Sequence, residues 1–276
     1  MKFRKTLVAA ALLGASLGLA SSPAVASHVP GFGFSEVPFT FDATAYGGGE
    51  FTATFIDFSY EAEVDQTGFT FDETGVAFFS SFRTSLSQPP IGGTGLVTDY
   101  NMYATFAGSG TVAVNAALGV DGTFLTFDAA IFIDPSQDTT ASEFTIGAPD
   151  ESKTAIDPSG DDVLILTGEL IIGGFHVNSG LAAGDFDVVF RVTSFDDSVW
   201  GGEAFAGPIV IGDINGVNTQ IVGVLPPPAI FVDARITGSG NVSFQSIPEP
   251  GTVSLLGLGL LGFGVLLRTR RQRAPH

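Results

Sequence analysis

Between Ile56 and Asp65 apolar and polar residues alternate without a break: Ile56, Phe58, Tyr60, Ala62 and Val64 against Asp57, Ser59, Glu61, Glu63 and Asp65. Successive side chains of a β-strand point to opposite faces, so ten residues of strict period two predict a strand with one dry and one wet face. Phe186, Val188, Phe190 and Val192 repeat the pattern against Asp185, Asp187, Arg191 and Thr193. So do Ile230, Val232, Ala234 and Ile236, with Asp233, Arg235 and Thr237 outward. Upstream, Phe51, Ala53 and Phe55 alternate in the opposite phase, and the switch between Phe55 and Ile56 predicts a β-bulge or a strand that changes sheets. The continuous run Val163-Leu164-Ile165-Leu166 reads as a strand buried on both faces. No stretch between the two ends of the chain has a convincing helical period.

Glycine pairs punctuate these segments and read as turns: Gly47-Gly48-Gly49, Gly92-Gly93, Gly108-Ser109-Gly110, Asp121-Gly122, Gly173-Gly174, Asn215-Gly216 and Gly238-Ser239-Gly240. Many short strands joined by glycine turns predict an all-β fold, an antiparallel β-sandwich or jelly-roll-like domain, with an open barrel as the second choice. Pro226-Pro227-Pro228 separates two strands at a sheet edge rather than two domains. Phe39-Thr40-Phe41-Asp42 returns as Phe69-Thr70-Phe71-Asp72, a spacing that suits two hairpins of similar shape.

Neither end of the chain belongs to that fold. Lys2, Arg4 and Lys5 precede an apolar stretch over residues 6–20, and Ala24-Val25-Ala26 is a small-x-small cleavage site, so residues 1–26 read as a signal peptide with a short helix, removed by signal peptidase near Ser27. At the other end, Ser246-Ile247-Pro248-Glu249-Pro250-Gly251 leads into seventeen uncharged residues, 251–267, and then four arginines within six residues. At about 1.5 Å rise per residue, a helix of that length just crosses the hydrocarbon core of a bilayer. Basic flanks stay cytoplasmic, which leaves the globular part outside. Pro248 and Pro250 fix φ and disfavour helix, so Glu249 stands extended at the outer face of the membrane.

This arrangement resembles the PEP-CTERM sorting tail of exported Gram-negative bacterial proteins. The resemblance implies that residues 247–276 are a sorting tail, that residues 251–267 cross the inner membrane transiently as a single helix, and that an exosortase processes the chain around Pro248, Glu249 and Pro250. The remainder, residues 27–246, is then the exported domain, bound for the cell surface or extracellular matrix.

Without its ends the chain is strongly acidic. All 29 carboxylates lie between Ser27 and Pro250 but only Arg83, Lys153, Arg191 and Arg235 among the basic residues do, four against 29, a formal charge of −25. Phosphate binding needs clustered Lys and Arg, so nucleic acid is excluded as a partner. The chain has no cysteine, hence neither disulfides nor thiol chemistry, and its stability rests on the core alone.

Little in the exported domain points to catalysis. Its histidines are His28, beside the new N-terminus, and His176; neither lies in a nucleophile-elbow or zinc-ligand pattern. His176 reads as a loop or surface residue. Two acidic loops place oxygens at alternating positions, as calcium loops do: Asp134 and Asp138 in Asp134-Pro135-Ser136-Gln137-Asp138, and Asp157, Asp161 and Asp162 in Asp157-Pro158-Ser159-Gly160-Asp161-Asp162. Both fail the EF-hand test, since Thr139 follows Asp138 and the twelfth positions are Thr145 and Gly168. Asp-Pro-Ser also opens turns, so a solvated loop is the simpler reading. Asp196-Asp197 is similarly ambiguous, Asn241-Val242-Ser243 has the form of a glycosylation acceptor, and the lone Trp200 is either a sugar platform or core.

Four segments carry a narrower likeness: Tyr100-Asn101-Met102-Tyr103-Ala104-Thr105-Phe106 with Gly108-Ser109-Gly110; Phe132-Ile133-Asp134-Pro135 with Asp138-Thr139; Asp161-Asp162-Val163-Leu164; and Gly184-Asp185-Phe186-Asp187. Their order is similar to that in the flocculation-associated PEP-CTERM proteins. That likeness implies a non-enzymatic protein that works with extracellular polysaccharide in flocs or biofilm, and it transfers no catalytic residue. The alternative is a secreted lectin or glycan-active enzyme on a β-sandwich, whose acid and base would be two of the many carboxylates.

Overall fold

The computed structural model describes residues 36–115, 119–141, 156–157, 160–178, 183–222 and 233–247. The signal peptide with Ala24 and Ala26, His28, the Pro226-Pro227-Pro228 break, and the tail from Pro248 onward all lie outside the described residues. In chain order the strands are β1 (Phe39–Asp42), β2 (Glu50–Ala53), β3 (Phe55–Thr67), β4 (Thr70–Arg83), β5 (Asn101–Val114), β6 (Val120–Asp134), β7 (Thr140–Ala141), β8 (Ile156–Asp157), β9 (Val163–Val177), β10 (Gly184–Phe195), β11 (Trp200–Gly202), β12 (Ile209–Val222) and β13 (Asp233–Ile247). Two short 3-10 turns, Thr44–Tyr46 and Glu203–Phe205, are the helical elements among these residues. No described helix is long and apolar enough to cross a membrane, and the span expected at residues 251–267 falls outside the described region.

The all-β expectation holds, but the sandwich or jelly roll is replaced by a closed antiparallel barrel. Eight strands, β3, β4, β5, β6, β9, β10, β12 and β13, pair each with the next along the chain, and β13 returns to pair with β3 through Asp233↔Asp65 to Val242↔Ile56. These strands are long, from 12 residues in β10 to 15 in β6, β9 and β13. Closure leaves no edge among them, which solves the exposed-edge problem that a sandwich must manage by other means.

The misreading came from the glycines. Gly47 and Gly93 do occupy turns, with φ of 89° and 73°. Gly108 and Gly110, however, sit within β5, Gly122 within β6, Gly173 and Gly174 within β9, Gly216 within β12, and Gly238 and Gly240 within β13. An interior glycine here lies opposite an aromatic ring on the next strand: Gly75↔Phe106, Gly110↔Phe71, Gly122↔Phe175, Gly216↔Phe186, Gly238↔Tyr60 and Gly240↔Phe58. A Cβ at any of these would overlap that ring. An eight-stranded barrel has only enough interior for its own side chains, so large residues must face small ones. These six glycines and the rings opposite them are thus two halves of one packing rule.

The two periods found in the sequence correspond to two sheets. β2 ends at Ala53 in a three-stranded sheet of order β11-β1-β2, and one residue later β3 enters the barrel, so the phase switch between Phe55 and Ile56 marks a chain that changes sheets. The small sheet caps one end of the barrel. Phe39 and Phe41 of β1 pack on Phe244 and Phe82, with ring centroids 5.6 and 5.0 Å apart, and Trp200 of β11 lies against Phe39, Phe41, Phe205 and Phe244. The Val163-Leu164-Ile165-Leu166 run is buried on both faces only at Ile165 and Leu166, while Leu164 is 49% exposed. The repeated Phe-Thr-Phe-Asp does not mark two similar hairpins: Phe39 is buried in the cap, whereas Phe69 is 70% exposed at the β3–β4 turn.

Outward positions carry Asp57, Ser59, Glu61, Glu63 and Asp65 on β3, and Thr105, Ser109 and Thr111 on β5. These polar residues face away from a phenylalanine-rich lumen, while Leu125 of β6 and Ile171 and Ile172 of β9 are exposed apolar residues.

Candidate functional site

The acidic loops form a clasp across the capped end. Asp134, the last residue of β6, is fully buried, and its carboxylate accepts the backbone N–H groups of Asp138 (3.4 Å) and Thr139 (3.0 Å). The loop between them turns through Gln137, whose φ of 59° is left-handed. The Thr139 hydroxyl donates to Asp162 at 2.8 Å, the Tyr103 hydroxyl donates to the same carboxylate at 2.7 Å, and the Ser136 hydroxyl donates to Asp161 at 3.2 Å. Burial first, and then the Asp162 carboxylate, push the Tyr103 phenol well above its ordinary range, so it remains a donor. The backbone of Asp157 pairs with Thr140 in the β7–β8 ladder. Three of the four segments that carry the flocculation-type likeness therefore meet here, through Tyr103, Asp134 with Thr139, and Asp162. Asp134, Asp161 and Asp162 spend oxygens on protein donors, and among the described residues no group of three His, Asp or Glu side chains is placed to hold a metal ion.

His176 lies in β9 rather than in a turn, directly across from Asp121 of β6. Its Nδ1 meets the Asp121 carboxylate at 2.6 Å and its Nε2 lies 3.3 Å from the Asn178 side-chain oxygen. The hydrogen bond to Asp121 raises the imidazole above its ordinary value and lowers the carboxylate below its own. Both ring nitrogens are taken up and both side chains are about half exposed, so this is a surface hydrogen-bonded pair, which becomes an ion pair when His176 is protonated.

Asp196 closes the turn into β11, accepting the Ser198 backbone N–H (2.9 Å) and hydroxyl (2.6 Å), while Asp197 is exposed beside it. Asn241 and Ser243 lie in the middle of β13, with Ser243 buried, which is not the surface loop that a glycosylation acceptor needs. Trp200 is 2% exposed and its indole N–H donates to the Ile165 carbonyl at 3.0 Å, so it is core and offers no face to a sugar.

Two features escaped the sequence reading. One is a shallow trough of about 440 Å³ on the outer wall, lined by Thr105, Asp128, Thr167, Glu169 and Thr193. Asp128 and Glu169 face each other across β6 and β9, and Glu169 is ion-paired to Arg191 of β10. The other is inside. Tyr60, Glu73 and Asn218 are the polar members of a lumen cavity whose remaining walls are aliphatic and aromatic. Glu73 shares its parity along β4 with Phe71, Gly75, Ala77 and Phe79, and that parity was the signal that could have found it.

The described cations are all engaged on the outer wall: Arg83 with Asp57, Arg191 with Glu169, and Arg235 with Glu61 at 2.7 Å. β13 itself runs to Ile247, the residue before Pro248-Glu249-Pro250, so the barrel is joined to the C-terminal segment without a spacer. Residues 246–271 match the PEP-CTERM protein-sorting motif. The chain carries a PEP-CTERM sorting tail. Neither a curated protein nor a solved structure gives a match. The PEP-CTERM tail makes this an exported protein processed by an exosortase, and its first residues, Ser246 and Ile247, are still hydrogen-bonded barrel strand, paired with Val210 and Ile209. The sorting motif therefore begins within the last strand of the barrel, at its capped end.

Proposed function

We propose that the barrel, once separated from its PEP-CTERM tail, is a non-enzymatic structural or adhesive protein of the cell surface or extracellular matrix, acting with extracellular polysaccharide in flocculation or biofilm. The sorting tail carries this reading, because it routes to the outside a domain of strongly acidic composition. The described arginines are tied to carboxylates, so a polyanionic chain would meet repulsion; the matching polymer is neutral or rich in amino sugars. The trough over β5, β6, β9 and β10 supplies hydroxyls and carboxylates for such a chain, with Thr167 and Thr193 linked at 2.8 Å along its floor. A lectin resting on Trp200 finds no support in its burial. The Asp128 and Glu169 pair, open to solvent, lacks the apolar surround that sets a glycosidase acid apart from its base.

The test is a strain in which the gene is deleted and then restored as wild type, as Thr167→Val with Thr193→Val, or as Pro248→Ala with Pro250→Ala. Deletion is expected to reduce floc sedimentation and wild type to restore it. The trough variant should be exported and processed but restore sedimentation poorly, and the proline variant should stay at full length in the membrane. Normal sedimentation in the deletion strain would overturn the reading.

A further inference from the structure

The lumen holds an unexplained carboxyl group. Glu73 points inward from β4, and its direct cross-strand neighbours are Val64 on β3 and Gly108 on β5, neither of which offers a side-chain donor. Among the described residues no hydrogen bond or ion pair reaches its carboxylate. Glu73 lines a cavity of about 80 Å³ whose walls include Phe58, Phe79, Phe106 and Phe186. The nearest polar pair is already closed on itself: the Tyr60 hydroxyl passes over Gly238, where a Cβ would block it, and donates to Asn218. Buried carboxyl groups in native proteins have partners, because an unpaired one costs several kcal/mol. Burial pushes Glu73 up to about 7, the response of an acid that lacks a donor.

We propose that the lumen is a binding site for a small hydrophobic amine, its ammonium group paired with Glu73 and its hydrocarbon part held among the phenylalanine rings. Three observations select the class. The carboxyl lacks a donor and an ammonium brings three. The wall is rich in aromatic rings, whose π faces attract a cation and repel an anion. The polar lining is limited to Glu73, Tyr60 and Asn218, with Tyr60 bonded to Asn218 and close enough to Glu73 to feel its charge, which matches a molecule polar at one end only. A dry apolar cavity of about 150 Å³ holds benzene, so about 80 Å³ admits roughly three or four non-hydrogen atoms. Binding conserves protons simply: a neutral amine takes the proton of the Glu73 carboxyl, or an ammonium meets the carboxylate after losing its water.

The reading is independent of polysaccharide binding and is tested on the processed protein recovered from the cell exterior. Propylamine, propanol and propionate have similar shapes and differ in charge, and their affinities can be compared by calorimetry or ligand-observed NMR at pH 7. Saturable binding of propylamine at least tenfold tighter than propanol, with no binding of propionate, is expected. Glu73→Gln, nearly isosteric, should weaken the amine at least tenfold and leave the alcohol unchanged. Ala77→Leu, which fills the cavity from the same strand, should remove both. Absence of saturable amine binding, equal affinity of amine and alcohol for the wild type, or an unchanged amine affinity in Glu73→Gln would each overturn the proposal.

Discussion

Gly75 of β4 lies directly opposite Phe106 of β5, and the phenylalanine ring occupies the space in which a Cβ on Gly75 would sit. The same ring stacks on Phe127 of β6, with centroids 5.8 Å apart, so the missing side chain of one residue positions the aromatic contacts of two strands. Repeated around the barrel, such pairs set the register: a slip by one residue would turn the rings outward and bring the glycines opposite nothing.

The pairing predicts a specific coupling. Gly75→Ala should destabilise the barrel by about 1–3 kcal/mol, the usual cost of overpacking. Phe106→Leu makes room beside Gly75, so adding Gly75→Ala to it should cost well under half as much. Urea unfolding of the four proteins of this cycle measures the coupling, and equal costs of Gly75→Ala in both backgrounds would show that the ring and the glycine are independent.

What the sequence revealed and what it concealed have a common cause. Period two is a property of any strand, so the alternation from Ile56 to Asp65 and from Asp185 to Thr193 located β3 and β10 correctly, and the phase switch after Phe55 located the passage between sheets. Glycine has two uses in a β protein, to turn the chain and to leave space, and local sequence does not separate them. Gly238-Ser239-Gly240 has the composition of a turn, yet its glycines face Tyr60 and Phe58 in the middle of a strand of 15 residues. Reading them as turns halves the strands and favours a sandwich. The acidic clasp was visible as a set of aspartates, but the hydroxyls that satisfy Asp162, those of Tyr103 in β5 and of Thr139 beside the first acidic loop, lie far from it in sequence and are joined to it only by the barrel.

Trp200 is the sole tryptophan of the chain, so its fluorescence reports the cap without interference. Its burial predicts emission at the short-wavelength end of the tryptophan range and weak quenching by acrylamide. Trp200→Ala should cost about 3–5 kcal/mol, through lost packing against Phe39, Phe41, Phe205 and Phe244 and a stranded Ile165 carbonyl. Efficient quenching in the folded protein would contradict the capped arrangement.

The clasp should be metal-independent. Its aspartates are held by protein hydroxyl and N–H groups, so removing divalent ions with EDTA should leave the melting temperature unchanged, whereas Asp162→Ala should lower stability by about 1–3 kcal/mol by stranding the Tyr103 and Thr139 hydroxyls. A fall in melting temperature on chelation, restored by calcium, would show that the carboxylates serve an ion instead.

Glu73 makes stability depend on pH in a definite direction. Its ordinary value is 4.5 and burial raises it to about 7 in the folded barrel. Between these values the folded protein holds a proton that the unfolded chain releases, so the stabilisation from the neutral carboxyl is fully present below about pH 4.5 and is lost as pH rises through 7. The other titratable group on the lumen wall is Tyr60, pushed well above its ordinary value by burial and then by Glu73, so it does not titrate in this window. Many surface carboxylates contribute to the total pH dependence, and the difference between wild type and Glu73→Gln isolates this one. That difference, from urea unfolding at pH 4.5, 6 and 8, should grow with pH in favour of Glu73→Gln, reaching on the order of 3 kcal/mol at pH 8. A difference that stays constant over the range would mean that Glu73 keeps its ordinary acidity and that the lumen does not isolate it from water.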